Sequence, residues 1–156
     1  MRLSLAVCIS LLAVSARAQS GLEGTMLNGL EEVAVVALSG PDEVTGLEKE
    51  TLRSLVEGRL AEAGVSVRRE AEARLVVDAT VNLSADGGTC FSIVKVLLDE
   101  PAKLERNGFF VTSTSWSNQS MIEAPPASCA ALVRKAVLRG TDEFADHLLV
   151  MNGRRK

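Results

Sequence analysis

The chain has 156 residues, 47% of them hydrophobic and 24% charged, with a formal net charge of −3 at pH 7. That length suits one domain with one core, and the acidic balance argues against nucleic acid, which rewards clustered Lys and Arg. One histidine and three cysteines leave little material for a metal site, so no cofactor or metal is expected.

The amino terminus, MRLSLAVCISLLAVSARAQS, sets an apolar run from Leu3 to Val14 behind Arg2 and closes it with Ala16-Arg17-Ala18. Small residues at those two positions are what a signal peptidase reads. The run is too short for a membrane span, which needs ~20 residues. Residues 1–18 are therefore read as a signal peptide, cleaved near Ala18–Gln19, with a periplasmic or secreted product. Val7 and the short apolar stretch before Cys8 disfavour a lipoprotein signal. Cleavage would remove Arg2 and Arg17 and no acid, moving the formal charge from −3 to −5. It would also leave Cys90 and Cys129 as a pair, and two cysteines in an exported protein read as one disulfide.

Residues 19–30 are polar and glycine-spaced, a flexible lead-in to a single domain over 31–152; the last residues, 153–156, form a basic tail whose membrane contact is at most weak. EEVAVVAL (31–38) reads as a strand buried on both faces. Thr45-Gly46-Leu47-Glu48 has the form of a capping box. Leu52, Leu55, Val56, Leu60 and Ala63 follow on one helical stripe, and Gly64 offers the left-handed stop, with Val65 beyond it. VSVRRE (65–70) is a short strand. Leu75, Val77, Ala79, Val81 and Leu83 then alternate with Val76, Asp78, Thr80 and Asn82, the pattern of a strand with one wet face.

Asp86-Gly87-Gly88 suits a hairpin turn. A strand over 89–99, a link over 100–108 and a Ser/Thr-rich strand over 109–122 follow. Pro125-Pro126 stops sheet pairing, and Ser128 is placed to cap a final helix carrying Val133, Val137, Phe144 and Leu148, with Gly140 as a candidate kink. The order β-α-β-β-β-β-α predicts an α+β fold: a two-layer sandwich whose mainly antiparallel five-stranded sheet carries both helices on one face.

Connectivity bears on the cysteines. The strand after the Asp86 turn runs away from it and the next one returns, so the Pro-Pro loop delivers Cys129 to the end of the sheet where Cys90 sits. The stretch DGGTC is then a turn plus a clamp. A reactive thiol at a helix N-terminus is the competing possibility. If the cysteines pair, Cys90 faces the helices with Val94, Val96 and Leu98, and Phe91, Ile93, Lys95 and Leu97 face the other way.

Catalytic patterns are lacking. His147 stands beside Glu143 and Asp146 without a G-x-S-x-G serine, and ADGG lacks the Lys and Ser/Thr of a phosphate loop. Asn82 and Asn118 match the N-glycosylation pattern inside predicted strands, where acceptors are disfavoured. The chain is therefore not expected to be an enzyme. What remains is the uncovered sheet face, with Asp78, Thr80, Asn82, Phe91, Ile93, Lys95 and Leu97 as candidate contact residues. Trp116 either anchors a contact on that face or belongs to the helix-side core.

The run VAVVALSGPDEVTGLEKETLRSLVEGRLAEAGVSV followed by ARLVVDATVNLSA reads as a strand, a helix ending in Ala-Gly and a strand pair. Over residues 31–85 this resembles small bacterial envelope α+β domains, such as the amino-terminal domain of the TolB translocation protein and the lipopolysaccharide-assembly lipoproteins. The resemblance implies a non-catalytic role through protein or lipid contacts and transfers no individual residue. The expected function is a periplasmic binding or assembly module, with an envelope protein or a second copy as partner. A secreted inhibitor or small-ligand carrier, with specificity in the loops at 39–46 or 100–108, is the alternative; a hydrolase is less favoured.

Overall fold

The computed structural model describes residues 27–39 and 47–154. The valine-rich segment forms β1 (Glu32–Ser39), and the predicted helix forms α1 (Lys49–Ala63). A two-residue β2 (Ser66–Val67) follows, then β3 (Arg74–Leu83), β4 (Cys90–Lys103), β5 (Phe110–Ala124) and α2 (Pro126–Met151). The predicted signal peptide and Thr45 lie outside the described residues.

The strands form one sheet in the order β2-β1-β3-β4-β5. The two hairpins make β3–β4 and β4–β5 antiparallel, while β1 pairs in parallel with both β2 and β3. The sheet is thus mixed: antiparallel from β3 to β5, as expected, with parallel pairing on both sides of β1. The reason lies in α1: a helix returns the chain to the end where β1 began, so the next strand must run with β1. The chain then steps across. Arg68 N–H bonds Val33 O at 2.9 Å on one side of β1, and Ala34 N–H bonds Ala73 O at 2.8 Å on the other. That step consumes most of VSVRRE, leaving only Ser66–Val67 as strand.

Both helices cover one face. Val33, Val35, Leu75, Val77, Ala79, Val94, Val96 and Leu98 point up to meet Leu52, Val56 and Leu60 of α1 and Val133, Val137, Phe144 and Leu148 of α2. Each fully buried aliphatic side chain stabilises the fold by about 1.5–3 kcal/mol relative to exposure. A fork from Arg59 to Asp142, with Nε to Oδ1 at 2.6 Å and Nη2 to Oδ2 at 3.1 Å, ties the helices across their outer surface. β1 is buried on both faces only at Val33 to Val35; Leu38 is exposed.

The helix ends follow local chemistry. Gly64 takes φ +82° and Val65 N–H reaches Leu60 O at 2.9 Å, so α1 closes as its sequence predicts. Its start is one turn later than the capping-box pattern suggests: Glu48 is the N-cap and makes no side-chain cap bond. At α2 the cap is Pro125 with Pro126 in the first turn, and Ser128 instead donates its hydroxyl to Pro125 O at 3.0 Å. Proline at the first helical position removes one orphan N–H, and the Ser128 N–H is met by Pro125 O at 3.0 Å. The described end of the lead-in, residues 27–30, is tied to the domain. Leu27 is fully buried, and the Asn152 amide holds Gly29 N–H at 3.0 Å and Leu30 O at 2.9 Å.

Gly140 does not break α2, which runs unbroken for 26 residues. It lets the helix sit down on the sheet: a Cβ there would lie 2.8 Å from Val96 Cγ2. Gly140→Ala should therefore cost about 1 kcal/mol in denaturant unfolding, because overpacking outweighs alanine's better helix propensity. A gain in stability would show that helix and sheet are not in tight contact at this point.

Candidate functional site

Along β4, Cys90, Ser92, Val94, Val96 and Leu98 are buried beneath the helices, while Phe91 and Ile93 are exposed and Lys95 and Leu97 half-buried on the reverse. Cys90 is bonded to Cys129 in the first turn of α2, with the Cα atoms 6.2 Å apart. The stapled hairpin is what forms. Its turn is built from short polar bonds: Asp86 Oδ1 accepts the Ser84 hydroxyl at 2.5 Å and Gly88 N–H at 3.0 Å, and Thr89 N–H reaches Ser84 Oγ at 2.9 Å. The bond from Ser84, then that from Gly88, holds the Asp86 carboxyl below its ordinary range. Gly87, at φ +68°, supplies the left-handed step. Asp86 thus serves its own turn.

The reverse face is a lattice set by register. Phe91 lies between Asn82 and Glu123, Ile93 between Thr80 and Met121, Lys95 between Asp78 and Gln119, and Leu97 between Val76 and Ser117. Phe91 is 46% exposed, Ile93 39% and Met121 78%, so three adjacent apolar side chains stand in water on the hairpin end of the sheet. Seven of the sequence candidates, Asp78, Thr80, Asn82, Phe91, Ile93, Lys95 and Leu97, share this face.

Trp116 does not. It is 3% exposed on the helix side, its ring packs edge-on against Phe144 at 5.3 Å, and its Nε1 donates to His147 Nδ1 at 3.0 Å. A β-bulge causes the exchange. Leu98 pairs with Trp116 but Asp99 pairs with Thr114, leaving Ser115 as the extra residue. One inserted residue reverses parity, so Thr112 and Thr114 lie on the open face and Trp116 and Asn118 on the other. His147 is the partner of a core indole, its Nδ1 accepting the Trp116 N–H. Among its acidic neighbours, Asp142 pairs with Arg59 and Glu143 accepts Asn118 Nδ2 at 2.5 Å.

The far end of the open face holds a groove of about 590 Å3, whose walls include Val36, Leu38, Arg74, Val76, Pro101 and Phe110. It exists because β4 continues to Lys103, past the 99 expected, and the hairpin turning at Leu104–Gly108 extends beyond the neighbouring strands. Phe109 and Phe110 at this tip are among the most exposed apolar residues described. Sequence reading missed Met121 and this groove. Adjacent Phe109-Phe110 beside an Asn-Gly pair was the available signal for a solvent-exposed turn.

Among the described residues there is no cluster of three or more His, Cys, Asp or Glu able to hold a metal, and no helix long and apolar enough to cross a membrane. No protein-family model and no curated protein matches the chain. Among solved structures, a PelC variant dodecamer from Paraburkholderia phytofirmans is similar with 17% identity, covering 70% of this chain and 84% of that one, at a TM-score of 0.45. A minor lipoprotein from Acinetobacter baumannii is similar with 12% identity, covering 80% and 94%, at a TM-score of 0.43. Neither likeness assigns a function.

Proposed function

We propose that the chain is an exported, non-catalytic binding or assembly module that works through its open sheet face, with an envelope protein or a second copy as partner. The observation that carries this reading is the strip of Phe91, Ile93 and Met121, exposed on strands whose opposite side builds the core. Contiguous apolar surface rimmed by polar groups is unfavourable in water and is relieved by contact. Export is supported by the predicted signal peptide and by the Cys90–Cys129 bond, which persists in oxidising compartments. The resemblance of residues 31–85 to small envelope domains points the same way.

The non-catalytic part rests on where the reactive groups are engaged. The two cysteines hold each other, His147 holds Trp116, and Asp86 holds its turn. Ile93→Asp tests the proposal. Its side chain lies outside the core, so unfolding stability should change by no more than about 1 kcal/mol, while association with the partner weakens at least ~10-fold. Unchanged association in matched pull-downs and sedimentation would contradict it.

The groove favours a second reading as a small-ligand carrier, since about 590 Å3 lies within the range of known ligand pockets, roughly 300–1,000 Å3. Under that reading Phe110→Ala, and not Ile93→Asp, would abolish ligand uptake.

A further inference from the structure

Among the described residues, the outer edge of β1 is covered only at its start. Among the described residues, β2 pairs with Glu32 and Val33, while β1 runs on to Ser39. Each residue of an extended strand turns its N–H and C=O to one side, and successive residues alternate. Val33 bonds toward β2 and Ala34 toward β3, so Val35 and Ala37 aim their backbone groups at the outer edge, past the reach of β2. A slot of about 320 Å3 runs there, and its wall includes the four successive residues Ala34 to Ala37. Residues of both parities line one cavity only when the cavity follows the strand's edge, because side chains alternate between faces.

The rest of the wall is charged and mostly of one sign. Lys49 and Arg53 come from the first turns of α1, Arg69 from the link after β2, and Arg74 from the start of β3, with Glu50 as the acid. Arg53 is engaged by Glu57 at 2.9 Å and Glu50 at 4.0 Å. Among the described residues, Lys49, Arg69 and Arg74 form no ion pair. Since α1 covers one face and Arg74 stands on the other, cations flank the edge from above and below. This basic slot lies on a chain whose net charge is −3.

We infer that the β1 edge accepts an extended acidic segment of a partner protein as an added strand. Its backbone bonds Val35 and Ala37, and its carboxylates alternate between Lys49 and Arg53 on the helix side and Arg74, with the adjoining Arg69, on the other. Main-chain pairing supplies affinity and the alternating side chains supply selectivity, as in other strand-addition complexes. This surface is distinct from the strip of Phe91 and Ile93.

The test uses the mature, oxidised full chain and a capped heptapeptide, Val-Glu-Glu-Val-Glu-Glu-Val, which carries acids on both faces of a strand. Fluorescence anisotropy should show binding that weakens as salt rises, and hydrogen exchange should show new protection at the Val35 and Ala37 amides. Arg69→Glu with Arg74→Glu, both at exposed positions, should weaken binding about tenfold. Ala37→Pro, which removes one outward N–H at a strand edge, should do likewise; if it fails to fold, the charge variant still decides. The proposal is overturned by absent binding, by equal binding to the charge variant, or by unchanged exchange at Val35 and Ala37. Equal binding of a peptide N-methylated at alternate residues would also overturn it, as would tighter binding of an oligonucleotide of equal charge.

Discussion

Truncating Trp116 to alanine should lower the unfolding free energy by about 3–5 kcal/mol, the range for removing a large buried aromatic. The indole is almost fully enclosed, stacks edge-on with Phe144 and bonds His147, so truncation removes apolar burial, an aromatic pair and a hydrogen bond together. Native domains are stable by only about 5–15 kcal/mol, and the variant should therefore be partly unfolded in mild denaturant. Urea unfolding followed by circular dichroism measures the loss. The parent offers a direct check as well. Trp116 is the chain's one tryptophan, and its emission should be blue-shifted and poorly quenched by acrylamide in the native state. A loss below 1 kcal/mol, or solvent-like emission, would return Trp116 to the open face.

Removing the disulfide should have an effect of similar size. The bond closes a loop of 39 residues, for which the chain-entropy relation gives about 4 kcal/mol. Cys90 and Cys129 are both buried at the sheet–helix seam, so the double variant Cys90→Ala with Cys129→Ala adds a small packing loss to the entropic one. The bond also fixes the first turn of α2 against β4, and without it the amino-terminal end of the helix should lose exchange protection before the rest. Denaturant midpoints of the oxidised parent and the double variant give the magnitude. Alkylation of either thiol in native, unreduced mature protein would contradict the pairing.

The side of β4 that faces the helices was legible because one constraint decides it: once Cys90 must reach Cys129, every second residue to Leu98 follows. The same logic failed on β5, where the extra Ser115 inverts parity between Thr114 and Trp116. Nothing in FVTSTSWSNQSMIEA marks a bulge, since neither Gly nor Pro stands there. The parallel pairing of β1 with β3 was hidden for a different reason. Strand direction on that side depends on which side of β1 the link after β2 crosses to, a choice made by tertiary packing and not by local pattern. Gly140 read as a kink because a sequence displays the missing side chain but not the Val96 methyl that excludes one. The candidate face was accordingly legible where period-two alternation holds, through Thr80, Asn82, Phe91 and Ile93. It was illegible where an irregular step or a partner strand supplied the neighbours, as at Met121.

Use of the open face for contact is most directly tested by site-specific photo-crosslinking in the native host, with the photoreactive residue placed at Ile93, at Met121 or at Lys135 on the outer side of α2. Discrete adducts to one and the same species should form from positions 93 and 121 and not from 135. Adducts from 135 alone would mean that the helical layer makes the contact and that the bare side of the sheet does not.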